Sequence, residues 1–147
     1  MSGMYETILV GTDGSESSFL AVRRAAGIAN AVGARLILAS AYYKESADAM
    51  AATRSDSQTV VGDSMAEEIL GDAKAVAMEE GVEEPKLVLR EGSPVEALIA
   101  VTTEEKADLL VVGNRGINSL TGRLLGSVPA DAARQAQCDV MIVHTVT

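Results

Sequence analysis

Four stretches of this chain are unbroken runs of aliphatic residues, and these runs restrict the fold more than any other feature. Ile8-Leu9-Val10, Leu36-Ile37-Leu38, Leu109 to Val112 and Val140 to Val143 are apolar at consecutive positions, not alternate ones. A strand with one face in water alternates apolar and polar side chains. A strand covered on both faces does not, and such strands occur in parallel sheets sandwiched between helices. Each run is also followed by a break and then, where chain remains, by a segment with helical spacing, the pattern of an α/β domain.

The spacing predicts strands over Tyr5–Gly11, Ala34–Ala41, Lys86–Arg90, Asp108–Gly113 and Asp139–His144. Between the first two, Val22, Ala25, Ala26, Ala29 and Val32 recur at helical intervals, with Ser15 or Asp13 as the cap and Gly33 as the stop. Residues 42 to about 58 are small and polar without a period and are expected to form a flexible connector. A helix is expected from about Thr59 to Glu80, with Met65, Ile69, Leu70, Ala73, Val76 and Ala77 inward and Gly81 at its end. Ser93, Pro94 and Glu96 open the next helix as cap, first residue and third residue, with Val95, Leu98, Ile99 and Thr102 inward. The last helix runs from about Leu125 to Gln137. Short, right-handed connections then give a single domain over residues 1–147. It is a doubly wound, Rossmann-like five-stranded parallel sheet of order 3-2-1-4-5 with helices on both faces.

Composition narrows the partners. Lys plus Arg is 12 against 21 Asp plus Glu, a formal charge of −9. That argues against duplex DNA, RNA or an anionic bilayer, whose affinity comes from neutralising many phosphates, but not against one small anion. Aromatics are only 3% of the chain, too few for a base-stacking platform. The single cysteine, Cys138, excludes an internal disulfide or a multi-cysteine zinc site and reads as a small buried hydrophobe. No run approaches 18 apolar residues, and Glu6 interrupts the N-terminal segment early, so no membrane span or leader is expected and the setting is expected to be cytoplasmic.

In a doubly wound sheet the ligand lies beyond the carboxyl ends of the strands where the winding reverses. The turns after the first and fourth strands are the most distinctive in the chain. The first is Gly11-Thr12-Asp13-Gly14-Ser15. The second runs from Gly113 through Gly116 to Gly126-Ser127, with two and then nine residues between the glycines. Glycines let a backbone approach an anion closely, and a following helix presents its first N–H groups. Gly126, Ser127 and Val128 are the expected donors, Gly113 and Gly116 line the opposite side, and Asn114 lies between them. Arg115 and Arg123 stand as outer phosphate contacts. The spacing is neither a Walker loop nor a dinucleotide fingerprint. Asp13 reads either as a ribose acceptor or as a turn residue. Ala39, Ser40 and Ala41 offer a thin apolar slot with backbone groups at its edge, suited to adenine. His144 has no partner at ligand spacing and reads as structural or solvent-facing; no metal site is expected. No nucleophile elbow is present.

These residues resemble the universal stress protein family, whose ATP-binding signature of Gly, two residues, Gly, nine residues, Gly-Ser/Thr is matched over residues 113–127. The resemblance covers essentially the whole chain and implies an adenine nucleotide alpha hydrolase-like fold. It implies that Asp13 holds the ribose and that Gly11, Thr12 and Ala41 border the base. It further implies that Gly113, Gly116, Gly126, Ser127 and Val128 bind ribose and phosphates. Gly11 stands where many ATP-binding members have proline. The segments VGTDGS, DLLVVGN and GRLLGSVPA resemble a short-chain subset that binds cyclic AMP. The expected ligand is therefore ATP or cyclic AMP, with magnesium only alongside ATP, in a stress-linked sensor or nucleotide sink. The expected partner is a second copy, paired through the last strand from Val140 to Val146. A slow ATPase or phosphotransferase, or an interaction module with a vestigial pocket, are the competing readings.

Overall fold

The consecutive apolar runs become strands: Ile8–Val10, Leu36–Leu38 and Leu109–Val112 are buried on both faces, and Val140–Val143 is half-buried up to its last residue. A computed structural model of the chain describes residues 4–45, 60–114 and 127–145. In chain order it contains β1 (Thr7–Gly11), α1 (Glu16–Val32), β2 (Arg35–Tyr42), α2 (Asp63–Glu79), β3 (Lys86–Glu91), α3 (Pro94–Glu104), β4 (Leu109–Gly113), α4 (Ser127–Gln135) and β5 (Asp139–Val143). The five strands pair in parallel in the order β3-β2-β1-β4-β5.

Successive residues of one strand feed two cores. Ile8, Val10, Leu36, Leu38, Leu109 and Val111 pack against α1 and α2 through Val22, Ala25, Ala26, Leu70 and Ala73. Leu9, Ile37, Ala39, Leu110 and Val112 point the other way, against Leu98 and Val101 of α3 and Ala132 of α4. Each fully buried Leu, Ile or Val contributes roughly 1.5–3 kcal/mol of transfer free energy, and both faces of the central strands collect it.

The helix ends follow the local chemistry. The Ser15 hydroxyl accepts from the Ser18 N–H and caps α1, and Gly33, at φ +74°, ends it. Ser93 and Pro94 open α3 as expected, but the Ser93 hydroxyl donates to the Glu96 carboxylate at 2.8 Å and makes no bond to a helix N–H.

Several inward faces differ from the spacing argument. In α2 the buried residues are Ala66, Ile69, Leu70, Ala73 and Ala77, while Met65 is 41% exposed. One residue turns a helix by 100°, which puts Ala66 on the inward face and carries Met65 off it. In α3, Ala97, Leu98, Val101 and Thr102 face inward, with Val95 and Ile99 only half-buried. α2 begins at Asp63, not near Thr59. The connector is also more ordered at its ends than its composition suggests. Tyr42 completes β2. Tyr43 bridges to Val61, its N–H donating to the Val60 carbonyl and its carbonyl accepting from Gly62, each at 2.8 Å. Residues 46–59 lie outside the described residues. Among the described residues no helix is long and apolar enough to cross a membrane.

Candidate functional site

The chain winds from β1 outward to β3, then returns to β4 and β5, so a crevice opens between the carboxyl ends of β1 and β4. Three segments reach it. The turn after β1 is held by a closed set of hydrogen bonds. The Thr12 N–H donates to the Ala39 carbonyl at 2.9 Å, extending the ladder one residue beyond the strand. Ser18 Oγ donates to the Ser15 carbonyl, so the hydroxyl proton between Thr12 and Ser18, 2.8 Å apart, comes from Thr12. Thr12 Oγ1 in turn accepts from the Gly14 N–H. Asp13 Oδ1 accepts from the N–H and the hydroxyl of Ser15 at 3.0 and 2.6 Å. Asp13 thus makes an Asx-type turn that fixes its carboxylate at the crevice edge.

β2 supplies the second segment. Its pairing with β1 ends at Ala39 opposite Gly11, while its pairing with β3 continues to Tyr42. Backbone groups alternate sides along a strand. Since the Ala39 carbonyl faces β1, the N–H and carbonyl of Ala41 face the same side, beyond the last β1 residue. Ser40 is 1% exposed and its hydroxyl has no partner among the described residues. Tyr43 lies just past the strand at the same end. Burial, and then the Glu96 carboxylate, push its phenol above the ordinary range.

The third segment is the end of β4. Gly113 pairs with Val143, and the Asn114 N–H donates to the Val143 carbonyl at 2.9 Å. The Asn114 amide, 8% exposed, makes three contacts: Oδ1 accepts from the Thr145 N–H at 2.7 Å and its hydroxyl at 3.1 Å, and Nδ2 lies 3.1 Å from His144 Nδ1. Thr145 also shares a hydrogen bond with the Ser17 hydroxyl of α1.

The structure gives two glycines a reason the sequence does not state. A methyl at Gly11 would lie 2.7 Å from Leu98 of α3, and one at Gly113 would lie 3.1 Å from the Ser17 hydroxyl of α1. Neither has a positive φ. A larger residue at either position would have to displace a packed side chain at the end of the sheet.

Gly11, Thr12, Asp13, Ala39, Ser40 and Ala41 thus gather at one end of the sheet with Gly113 and Asn114. Arg115, Gly116, Arg123 and Gly126 lie outside the described residues. Ser127 begins α4, and the half-buried Val128 follows it. Sequence reasoning missed Ser17, Ser18, Leu98 and Thr145; only the serine-rich first turn of α1 hints at the hydroxyl network. Cys138 is half-buried at the opposite end of the sheet. Burial, followed by Asp139, raises its pKa, so it is a protonated thiol and a poor nucleophile.

A five-stranded parallel sheet with helices on both faces and a crevice at its winding reversal defines a doubly wound α/β domain of the ligand-binding type. Residues 4–144 match the model of the Universal stress protein family, and the chain belongs to that family. It is 53% identical over 146 residues to universal stress protein Rv1636 of Mycobacterium tuberculosis, covering 96% of this chain and 97% of that protein. It is 32% identical to a Thermus aquaticus universal stress protein over 141 residues, covering 96% and 100%. A universal stress protein crystallised in complex with cAMP superposes with a TM-score of 0.75 at 43% identity, covering 97% of this chain and 98% of that one.

Proposed function

We propose that this protein binds an adenine mononucleotide, cyclic AMP or ATP, at the crevice between β1 and β4 and acts as a stress-linked nucleotide sensor or sink. The observation that carries this reading is the likeness to the cAMP-bound universal stress protein, which extends over nearly all of both chains. The local geometry supports it. Ala41 offers a backbone donor and acceptor where β1 has ended, as an adenine edge needs. The Asp13 carboxylate stands at the crevice edge for a ribose. The signature glycines and the N–H groups at the start of α4 supply the phosphate cradle. With no lysine in the loop, a single phosphodiester suits this cradle best, which favours cyclic AMP. The exposed edge of β5, apolar over Val140 to Val143, suits antiparallel pairing with a second copy. The pairing segment named from the sequence extends to Val146, outside the described residues.

Calorimetric titration of nucleotide-free protein tests this reading. Saturable heat with cyclic AMP, reduced by Asp13→Ala and displaced by ATP in competition, is the expected result. No heat with either nucleotide at millimolar concentration overturns it. Sedimentation at micromolar protein is expected to give a dimer; a monomer at every concentration refutes the pairing.

A further inference from the structure

We infer that His144 is a pH-dependent latch on the crevice, acting through Asn114; this rests on the nucleotide reading above. The hydrogen bonds fix the direction of the argument. The Thr145 N–H can only donate, so the atom of Asn114 facing it, at 2.7 Å, must be the carbonyl oxygen. The amide nitrogen then faces His144 Nδ1 at 3.1 Å, and Nδ1 must accept. That arrangement exists only while the imidazole is neutral and carries its proton on Nε2. A proton on Nδ1 sets two N–H donors against each other. Turning the Asn114 amide over relieves that contact but points its NH₂ at the Thr145 N–H. Protonation therefore costs the cluster at least one bond whichever way Asn114 turns.

The cluster sits where such a loss reaches the site. Asn114 follows Gly113, the first glycine of the signature, and its backbone closes the β4–β5 ladder. Thr145 carries the connection to Ser17 in the first turn of α1. Its neighbour Ser18 holds Thr12 on the other side of the crevice. Asn114 is thus a positioning residue whose side chain braces both crevice walls from behind. In the single chain His144 is exposed, within the segment proposed above to pair with a second copy, and it lines a groove of about 480 Å³ with Arg23 and Arg24 of α1 and Glu80 beyond α2. Arg23 is paired with Glu79 and Glu80 at 3.1 and 2.7 Å. Arg24 lines the same groove as a second cation. Among these groups only an imidazole ordinarily changes charge between pH 5 and 8.

The test uses the full-length protein with cyclic AMP, whose phosphodiester has no second ionisation near pH 6, unlike a terminal phosphate. Calorimetry is run at pH 7.5 and 5.5 on the wild type and on His144→Asn, whose Oδ1 stands in for Nδ1 but does not titrate. Wild-type affinity is expected to fall about three- to tenfold at pH 5.5, the loss of one hydrogen bond, and the His144→Asn profile to be flat. By linkage, cyclic AMP lowers the titration midpoint of the His144 ring signal in proton NMR, which no other histidine overlaps. Equal wild-type affinity at the two pH values, or a pH dependence that survives His144→Asn, overturns the latch. Absence of binding at pH 7.5 overturns the nucleotide reading instead. The latch contact is then decided on the free protein: Asn114→Asp offers the imidazolium an acceptor and should raise the ring midpoint by about half a unit or more. An unchanged midpoint refutes the contact.

Discussion

At the residue scale, the crevice is built by side chains that are missing or very short. Gly11 and Gly113 admit Leu98 and Ser17, and the turn after β1 is tied by hydroxyls of Thr12, Ser15 and Ser18. A methyl at Gly11 meets the far end of a side chain that is itself 5% exposed and packed in the α3 core. Gly11→Ala should therefore cost about 1–3 kcal/mol of stability by overpacking. Leu98→Val alone should also destabilise, but the pair should cost less than the sum, as a double-mutant cycle by urea unfolding would read. Strict additivity would mean that the two positions do not touch. Ser15→Ala removes the α1 cap and one of the two Ser15 donors to Asp13 together, so it should cost about 1–2 kcal/mol. A loss under a few tenths would show that the turn holds without its hydroxyl. The glycine pattern was legible in the sequence; the network of Ser17, Asn114, His144 and Thr145 was not. It joins α1 to the ends of β4 and β5 across most of the chain, and no local spacing encodes such a meeting.

At the element scale, legibility followed the strength of the periodic signal. The strands were readable because residues such as Leu36-Ile37-Leu38 are apolar on both faces, a pattern with few alternative folds. Helix existence and caps were readable from Ser15, Gly33 and Pro94. Helix faces were read less well, since Met65 and Ala66 are both apolar and only tertiary packing decides which turns inward. The amino-terminal rim of the sheet shows another tertiary effect. Glu105, just past α3 and 18% exposed, is paired with Lys86 of β3 at 2.8 Å and with Arg35 of β2 at 3.2 Å. Lys86 first, and then Arg35, hold its carboxyl below the ordinary range, against the opposing effect of burial. A depressed carboxylate contributes stability that is present above its unfolded pKa, about 4.3, and is lost as pH falls through the folded value. Glu105→Gln should lower Tm at pH 7 and lower it less near pH 3, as protonation of the wild-type carboxylate removes its contribution. A deficit of equal size at both pH values would assign Glu105 a packing role and no ionic one.

At the scale of the whole molecule, the charge of −9 and an anionic ligand have to be reconciled. Of the described cations, Arg23 is paired with Glu79 and Glu80, and Arg90 with Glu104 at 2.6 Å. The proposed cradle consists instead of backbone N–H groups and a helix start, fixed dipoles that bind at contact distance. Salt screens them little, because it acts over a Debye length that falls from about 10 Å at 0.1 M to about 3 Å at 1 M. The diffuse field of the acidic surface, which repels the ligand, is screened over that range. The two effects predict opposite outcomes to those of a cation-carried site. Raising sodium chloride from 50 to 500 mM should leave cyclic AMP affinity within about threefold of its starting value, or slightly improve it. Replacing both Arg115 and Arg123 by glutamine should also change affinity by less than about fivefold, since the proposed reading gives them only outer contacts, and exposed ion pairs are worth little. A tenfold loss with salt in the wild type, absent from the double variant, would move the site from backbone dipoles to those two guanidinium groups.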